Sequence, residues 1–206
     1  MRTAVEKSPT KEKLLDAAQK LVLAGGFVGT SVDDICRAAK LTKGSFFHYF
    51  KSKDELGTEL LERYCASSKE AFLSGCCQKE ADPLKRIYGF LDFMIEMGKK
   101  NAGKGCLLGS MAQELSDTHP AVRSICSRGF EEMARILKQD LKEAKARYAP
   151  KSAAIDPQSL ADHFVVVLEG AMLVSKVTSK TDRKGDGLRH YKEYLKALFA
   201  CHRNNG

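Results

Sequence analysis

The chain has 206 residues, 43% of them hydrophobic and 29% charged, which is enough apolar material for one large domain or a small domain joined to a larger one. It carries no low-complexity tract, no run of eighteen apolar residues and no signal-peptide pattern over Met1 to Thr10, so fibrous and membrane classes are set aside and a cytoplasmic protein is expected. The net charge of +8 favours a polyanionic partner, and its excess is concentrated at one end: over residues 1–53 ten lysines and arginines face five acids.

Apolar periodicity is helical throughout, and no stretch alternates with the two-residue period of a strand, so an all-α fold of about nine helices is predicted. Ser8 as N-cap and Pro9 as first helical residue start a helix that carries Leu14, Leu15, Ala18, Leu21 and Val22 on one face and stops at Gly25 and Gly26. Ser31 and Asp34 make a capping box for a second helix to about Ala39, and Thr42 caps a third ending near Tyr49. Ser52 and Glu55 make another box and open a long fourth helix, bearing Leu56, Leu60, Leu61 and Tyr64, that runs to about Cys77.

Asp82-Pro83 and Asp156-Pro157 each read as an N-cap followed by proline, starting helices near 83–100 and 157–179. Gly103 and Gly105 break the chain before a shorter helix at about 106–116, and Thr118-His-Pro120 opens one of about thirty residues. The last helix, about 187–202, shows Leu188, Tyr191, Leu195, Leu198 and Phe199 at helical spacing. This order divides the chain into a three-helix segment at 8–53, a connecting helix at about 53–77, and a larger helical domain at 78–206.

Two short helices about three residues apart, preceded by a supporting helix and followed by basic residues, match a helix-turn-helix whose second member enters the major groove. Val32, Ile35 and Ala39, with Phe46 and Phe50 at i and i+4, are expected to form its core against Leu14, Ala18 and Phe27. The other face then carries Lys43, Gly44, Ser45, Phe47, His48 and Tyr49. Gly44 would admit a phosphate backbone closely; Lys43 and Ser45 are candidate base readers, and Lys51, Ser52 and Lys53 candidate phosphate contacts. Thr30, Ser31 and Thr42 complete the candidate DNA-binding set, in which His48 reads either as a phosphate contact or as a solvated side chain.

Enzyme signatures are missing: there is no glycine-rich phosphate loop, nucleophile elbow or His-Glu-x-x-His pattern. The seven cysteines are odd in number and irregularly spaced, including the vicinal pair Cys76 and Cys77, which fits a reducing compartment rather than a disulfide framework or a zinc site. No cofactor, metal or catalytic residue is assigned.

The run Gly26-Phe27, Thr30-Ser31-Val32, Ile35, Ala38-Ala39 and Leu41-Thr-Lys-Gly-Ser-Phe-Phe-His-Tyr-Phe-Lys-Ser-Lys53 resembles the N-terminal pattern of the TetR family. The resemblance implies a homodimeric repressor with two reading heads on a roughly palindromic double-stranded operator, released by a small-molecule inducer bound in the C-terminal domain. Two positions depart from the pattern. Lys40 stands where the family usually has glycine, a position expected to need positive φ at a cost of roughly 1 kcal/mol. Phe47 replaces a common phosphate-binding tyrosine.

The penultimate helix is apolar around most of its circumference through Phe164-Val-Val-Val-Leu168 and Ala171-Met-Leu-Val174, so it needs cover on both sides. A four-helix pairing with a second copy supplies it, with Val167, Ala171, Val174, Leu195 and Leu198 as interface candidates. An apolar pocket among the central helices would use Phe90, Phe93, Met94, Met97, Leu107, Met111, Met133 and Phe164, although most of these residues suit an ordinary core.

Cys106 follows Lys104-Gly105 at the expected start of a helix, where the dipole and unsatisfied amides favour thiolate. The segment Gly105-Cys-Leu-Leu-Gly-Ser-Met-Ala-Gln-Glu-Leu-Ser-Asp117 resembles a TetR branch that includes repressors released by electrophiles or oxidants. That likeness makes Cys106 a candidate sensor, against a buried inert thiol; Lys176, on the penultimate helix, reads as its partner or as a solvated lysine, and Cys126 as a candidate resolving thiol. The reading within the regulator class therefore divides between a reversible inducer and a reactive electrophile; outside it stands a helical ligand-binding module without specific DNA binding.

Overall fold

A computed structural model describes residues 8–73, 80–100, 105–149, 154–178 and 183–203. Among them the chain forms nine helices and no strand: α1 Pro9–Gly25, α2 Val32–Ala39, α3 Lys43–Tyr49, α4 Lys53–Leu73, α5 Pro83–Lys100, α6 Leu107–Leu115, α7 Pro120–Tyr148, α8 Pro157–Thr178 and α9 Arg183–Arg203. The expected end of α4 at Cys77, the Cys76-Cys77 pair and Lys104 lie outside the described residues. α9 begins a turn earlier than the apolar pattern indicates, because its first turn, which includes Asp186, contributes no apolar stripe.

Two compact units interleave along the chain. One runs to Cys65 and takes in Leu107–Cys126; the other holds Ala66–Cys106 and everything from Ser127 onward. Packing thus follows contacts rather than chain order: α6, which lies in sequence within the C-terminal stretch 78–206, packs with the head against α1.

In the first unit Leu14, Leu15, Ala18, Phe27, Ile35, Phe46, Phe50, Leu56, Leu60 and Leu61 are buried. The helix-turn-helix core is as the spacing predicts, with Val32 and Ala39 half-buried at its edge. Gly57 lets α4 lie close: a Cβ there would stand 2.6 Å from the Phe27 ring and 3.4 Å from the Met111 terminal methyl. Arg63 of α4 binds Glu12 and Asp16 of α1 at 2.8 Å each and Gln19 at 3.1 Å, so α4 and α1 are fixed by polar as well as apolar contacts.

In the second unit α9 packs on both α5 and α8. The Lys192 ammonium meets Asp92 at 2.7 Å, and the buried Tyr191 hydroxyl donates to the Leu160 carbonyl at 2.7 Å. Gly187 allows close approach of α8 and α9, since a Cβ would lie 3.0 Å from the Ala171 Cβ and 3.4 Å from a Val167 methyl. Arg86 ties α5 to Asp140 and Glu143 of α7. The Arg135 guanidinium, then Lys69, hold the Glu132 carboxyl down at about 2.

Candidate nucleic-acid interface and sensor residues

Local capping builds the helix-turn-helix. The Ser31 hydroxyl accepts from the Asp34 amide at 3.1 Å and donates to the Asp34 carboxylate at 2.5 Å, while the Ser31 amide donates to the same carboxylate at 3.1 Å; the hydroxyl first and then the amide hold the Asp34 carboxyl below the usual carboxylate range. Thr42 accepts from the Ser45 amide at 3.1 Å to start α3. Between the helices Lys40 adopts φ 56 and ψ 44, the left-handed conformation its position in the turn suggests. The buried Cys36 thiol donates to the Thr42 carbonyl at 3.7 Å and is pushed up by burial.

On the outer face of α3, Lys43, Gly44, Phe47 and His48 are exposed and Ser45 half-exposed; Phe47 keeps 56% of its surface open. A Cβ on Gly44 would meet only the Thr42 hydroxyl at 3.6 Å, an ordinary contact, so nothing inside the protein demands glycine there. Lys43 pairs with Asp33 at 2.9 Å, both remaining exposed. Lys51 and Ser52 are exposed at the start of α4, where the Ser52 hydroxyl accepts from the Glu55 amide at 3.1 Å.

Three of the candidates turn inward. Tyr49 is half-buried, and its hydroxyl lies 2.8 Å from the Ser8 hydroxyl, which makes no side-chain cap on α1 despite its N-cap position. Thr30 is buried and donates to the Gly26 carbonyl at 2.7 Å. The Lys53 ammonium donates to the carbonyls of Phe27 and Thr30 at 3.0 Å each and lies 4.6 Å from the Phe27 ring centre. These bonds form because the α1–α2 connection exposes carbonyls that no helix satisfies.

The same connection is held from its other side by a residue the sequence reading passed over. Glu114 of α6 accepts from the Phe27 amide at 3.1 Å and the Val28 amide at 2.8 Å. Gly26, at φ 83, lies so close that a Cβ would meet the Glu114 carboxylate at 2.7 Å. An interaction spanning 87 residues has no local signature.

Cys106 is buried immediately before α6, and Gly105 at φ 69 has the Lys176 Cδ 3.4 Å from where its Cβ would be. Cys126 is buried and donates to the Leu108 carbonyl at 3.7 Å, and burial followed by the nearby Cys65 pushes its thiol up to about 11. Among the pocket candidates, Phe164 and Met133 are buried, and Phe93 and Met97 half-buried, within the second unit. Phe164 meets Phe90 edge-on at 5.8 Å. Met111 belongs to the first unit, fully buried beside Gly57.

The interface candidates also separate. Leu195 is 0% exposed and belongs to the core of its own subunit, while Val167 and Ala171 pack on Gly187 of α9. Val174 is exposed and Leu198 half-buried. The open apolar stripe of α8 is instead Val166, Leu173, Val174 and Val177, with Tyr194 exposed on α9. Among the described residues no helix is long and apolar enough to cross a membrane.

Residues 14–60 match the family model described as bacterial regulatory proteins, tetR family, and residues 83–191 the tetracyclin repressor-like C-terminal domain. The transcriptional regulator AcuR of Cereibacter sphaeroides is 32% identical over 88% of this chain and 83% of its own. The HTH-type transcriptional repressor NemR of Escherichia coli is 25% identical over 90% and 94%. A regulatory protein TetR from Rhodobacter sphaeroides superposes with a TM-score of 0.79 at 28% identity, covering 90% of this chain and 98% of that one. The reduced form of E. coli NemR gives 0.74 at 26% identity, covering 90% and 96%. With a reading helix on an N-terminal head and a helical C-terminal stretch matched by its own family model, the chain belongs to the TetR family of DNA-binding transcription regulators.

Proposed function

We propose that this regulator is a homodimeric, cytoplasmic repressor whose two heads grip a roughly palindromic operator and let go when a small molecule acts on the C-terminal half. Lys43, Gly44, Ser45, Phe47 and His48 present the reading face, with Thr42 and Ser31 setting the helix starts and Lys51 and Ser52 holding phosphate. Thr30, Tyr49 and Lys53 act indirectly, by fixing the turn and the angle of α3. Gly44 supports this assignment, since its missing side chain serves no internal contact and leaves room for a backbone from outside.

The observation that carries the release mechanism is the membership of α6 in the head. Glu114 binds the connection between α1 and α2, and the residue before α6 is Cys106, with Lys176 packed against Gly105. A chemical event at Cys106 is therefore covalently continuous with the helix that holds the reading head. The protein's likeness to a relative solved in a form described as reduced favours a thiol event over a reversible apolar inducer.

The test is mobility shift on the DNA flanking the protein's own gene at fixed salt. Hydrogen peroxide would take the Cys106 thiolate to sulfenic acid with loss of hydroxide, and dithiothreitol would return it. A specific shift lost with peroxide, restored by dithiothreitol and retained in Cys106→Ser supports the thiol sensor. A specific shift indifferent to both reagents assigns release to a non-covalent inducer, and no shift on that DNA or on operators selected from random duplexes rejects the repressor reading.

A further inference from the structure

We propose that Lys40 is an additional operator contact, placing its ammonium on a DNA phosphate beside the turn, and that its left-handed backbone is a conformational cost retained for that contact. The proposal rests on the head being the DNA-binding part of the chain.

Lys40 is the only residue other than glycine with positive φ among the described residues. The left-handed well strains an L-residue by bringing its Cβ against the backbone, and glycine would occupy it freely. What the turn needs from this position is backbone alone. The Lys40 amide donates to the Arg37 carbonyl at 3.2 Å and the Leu41 amide to the Cys36 carbonyl at 2.9 Å, and glycine would make the same bonds. The side chain is exposed, so it fills no core and its presence has no packing reason.

Its charge is also unspent within the protein. Arg37 binds Asp34 at 3.1 Å, Lys43 binds Asp33 at 2.9 Å, and Lys53 is bonded to two carbonyls. These pairs occupy the two acids of α2, and among the described residues the Lys40 ammonium has no ion pair or hydrogen bond of its own. Lys40 stands two residues before Thr42, the N-cap of the reading helix. A point charge on a flexible stem at that place suits a phosphodiester oxygen, which asks for charge and reach rather than a fixed hydrogen-bonding plane.

The experiment uses the full-length protein and a fluorescent duplex enriched from a random library by the wild type, with binding followed by anisotropy over a range of salt and stability by thermal unfolding. Lys40→Gly should melt higher than wild type yet bind about five- to tenfold more weakly at roughly 0.1 M salt, with a slope of log affinity against log salt shallower by about 0.9 per subunit. Lys40→Asn tolerates the left-handed conformation and should lose the same binding, which separates charge from glycine's added freedom. Lys40→Arg should keep the wild-type slope.

Stability and affinity moving in opposite directions is a result that a purely structural lysine does not produce. Wild-type affinity and slope in Lys40→Gly and Lys40→Asn would overturn the proposal, as would weaker binding with an unchanged slope. If the wild type enriches no duplex, the DNA-binding assignment fails, and this contact falls with it.

Discussion

Thiol chemistry needs thiolate, and burial works against it at Cys36 and Cys126. Cys126 is held protonated by burial, with its ordinary value of 9.0 pushed up to about 11. A thiol whose value is higher folded than unfolded stabilises the fold fully below pH 9.0, and that contribution disappears as pH rises toward 11. Native protein treated with iodoacetamide at pH 8 should therefore leave Cys126 unmodified in peptide mass spectra, with labelling only after denaturation. Labelling of native Cys126 as fast as a small-molecule thiol would show that the site opens and would restore it as a resolving partner for Cys106. Residue type alone likewise did not show the internal bonds of Lys53 and Thr30. A lysine and a threonine next to a reading helix suit phosphate contacts by residue type, and only the structure shows that the carbonyls of Gly26, Phe27 and Thr30 in the α1–α2 connection accept from them.

Glu114 makes α6 part of the head, and its two bonds are open to direct test. Replacing it with alanine removes a charged acceptor from two amides, and because the carboxylate is exposed the expected loss is about 1–2 kcal/mol, below the full value for charge-assisted bonds. Hydrogen exchange at the Phe27 and Val28 amides should accelerate in Glu114→Ala while the α3 amides that depend on Thr42 stay protected. Unchanged exchange at both amides would mean that the connection holds its shape without α6. Elements with local causes were legible in the sequence: the Ser31–Asp34 box, the Thr42 cap and the proline starts of α5, α7 and α8 depend on residues at most a few positions apart. The placement of Met111 and Glu114 was not, because helical periodicity shows that α6 buries a face without saying which unit receives it.

The surface of α8 and α9 bears on the proposed dimer. The inner face of α8 is spent within the subunit on Leu160, Ala161, Phe164 and Leu168, and Val167 and Ala171 are engaged by α9. Of the open stripe, Val166, Leu173 and Val177, 67%, 48% and 75% exposed, stand at spacings of seven and four that align them along one side of the helix, with Val174 beside them. Covering such a stripe releases about 25 cal/mol per Å² of apolar surface, which would drive the pairing in the proposed dimer. Leu173→Glu should therefore convert the proposed dimer to a folded monomer by ultracentrifugation, with a normal helical circular dichroism spectrum. Its operator affinity should fall by about a hundredfold or more, because the second head no longer binds at an effective concentration set by the first. Leu195→Ala, on the buried side of α9, should behave differently: a cavity in the subunit core costs about 2–5 kcal/mol of stability, while the folded fraction stays dimeric. A Leu173→Glu protein that remains a dimer would move the interface off this stripe, and a Leu195→Ala protein that is stable but monomeric would place Leu195 at the interface.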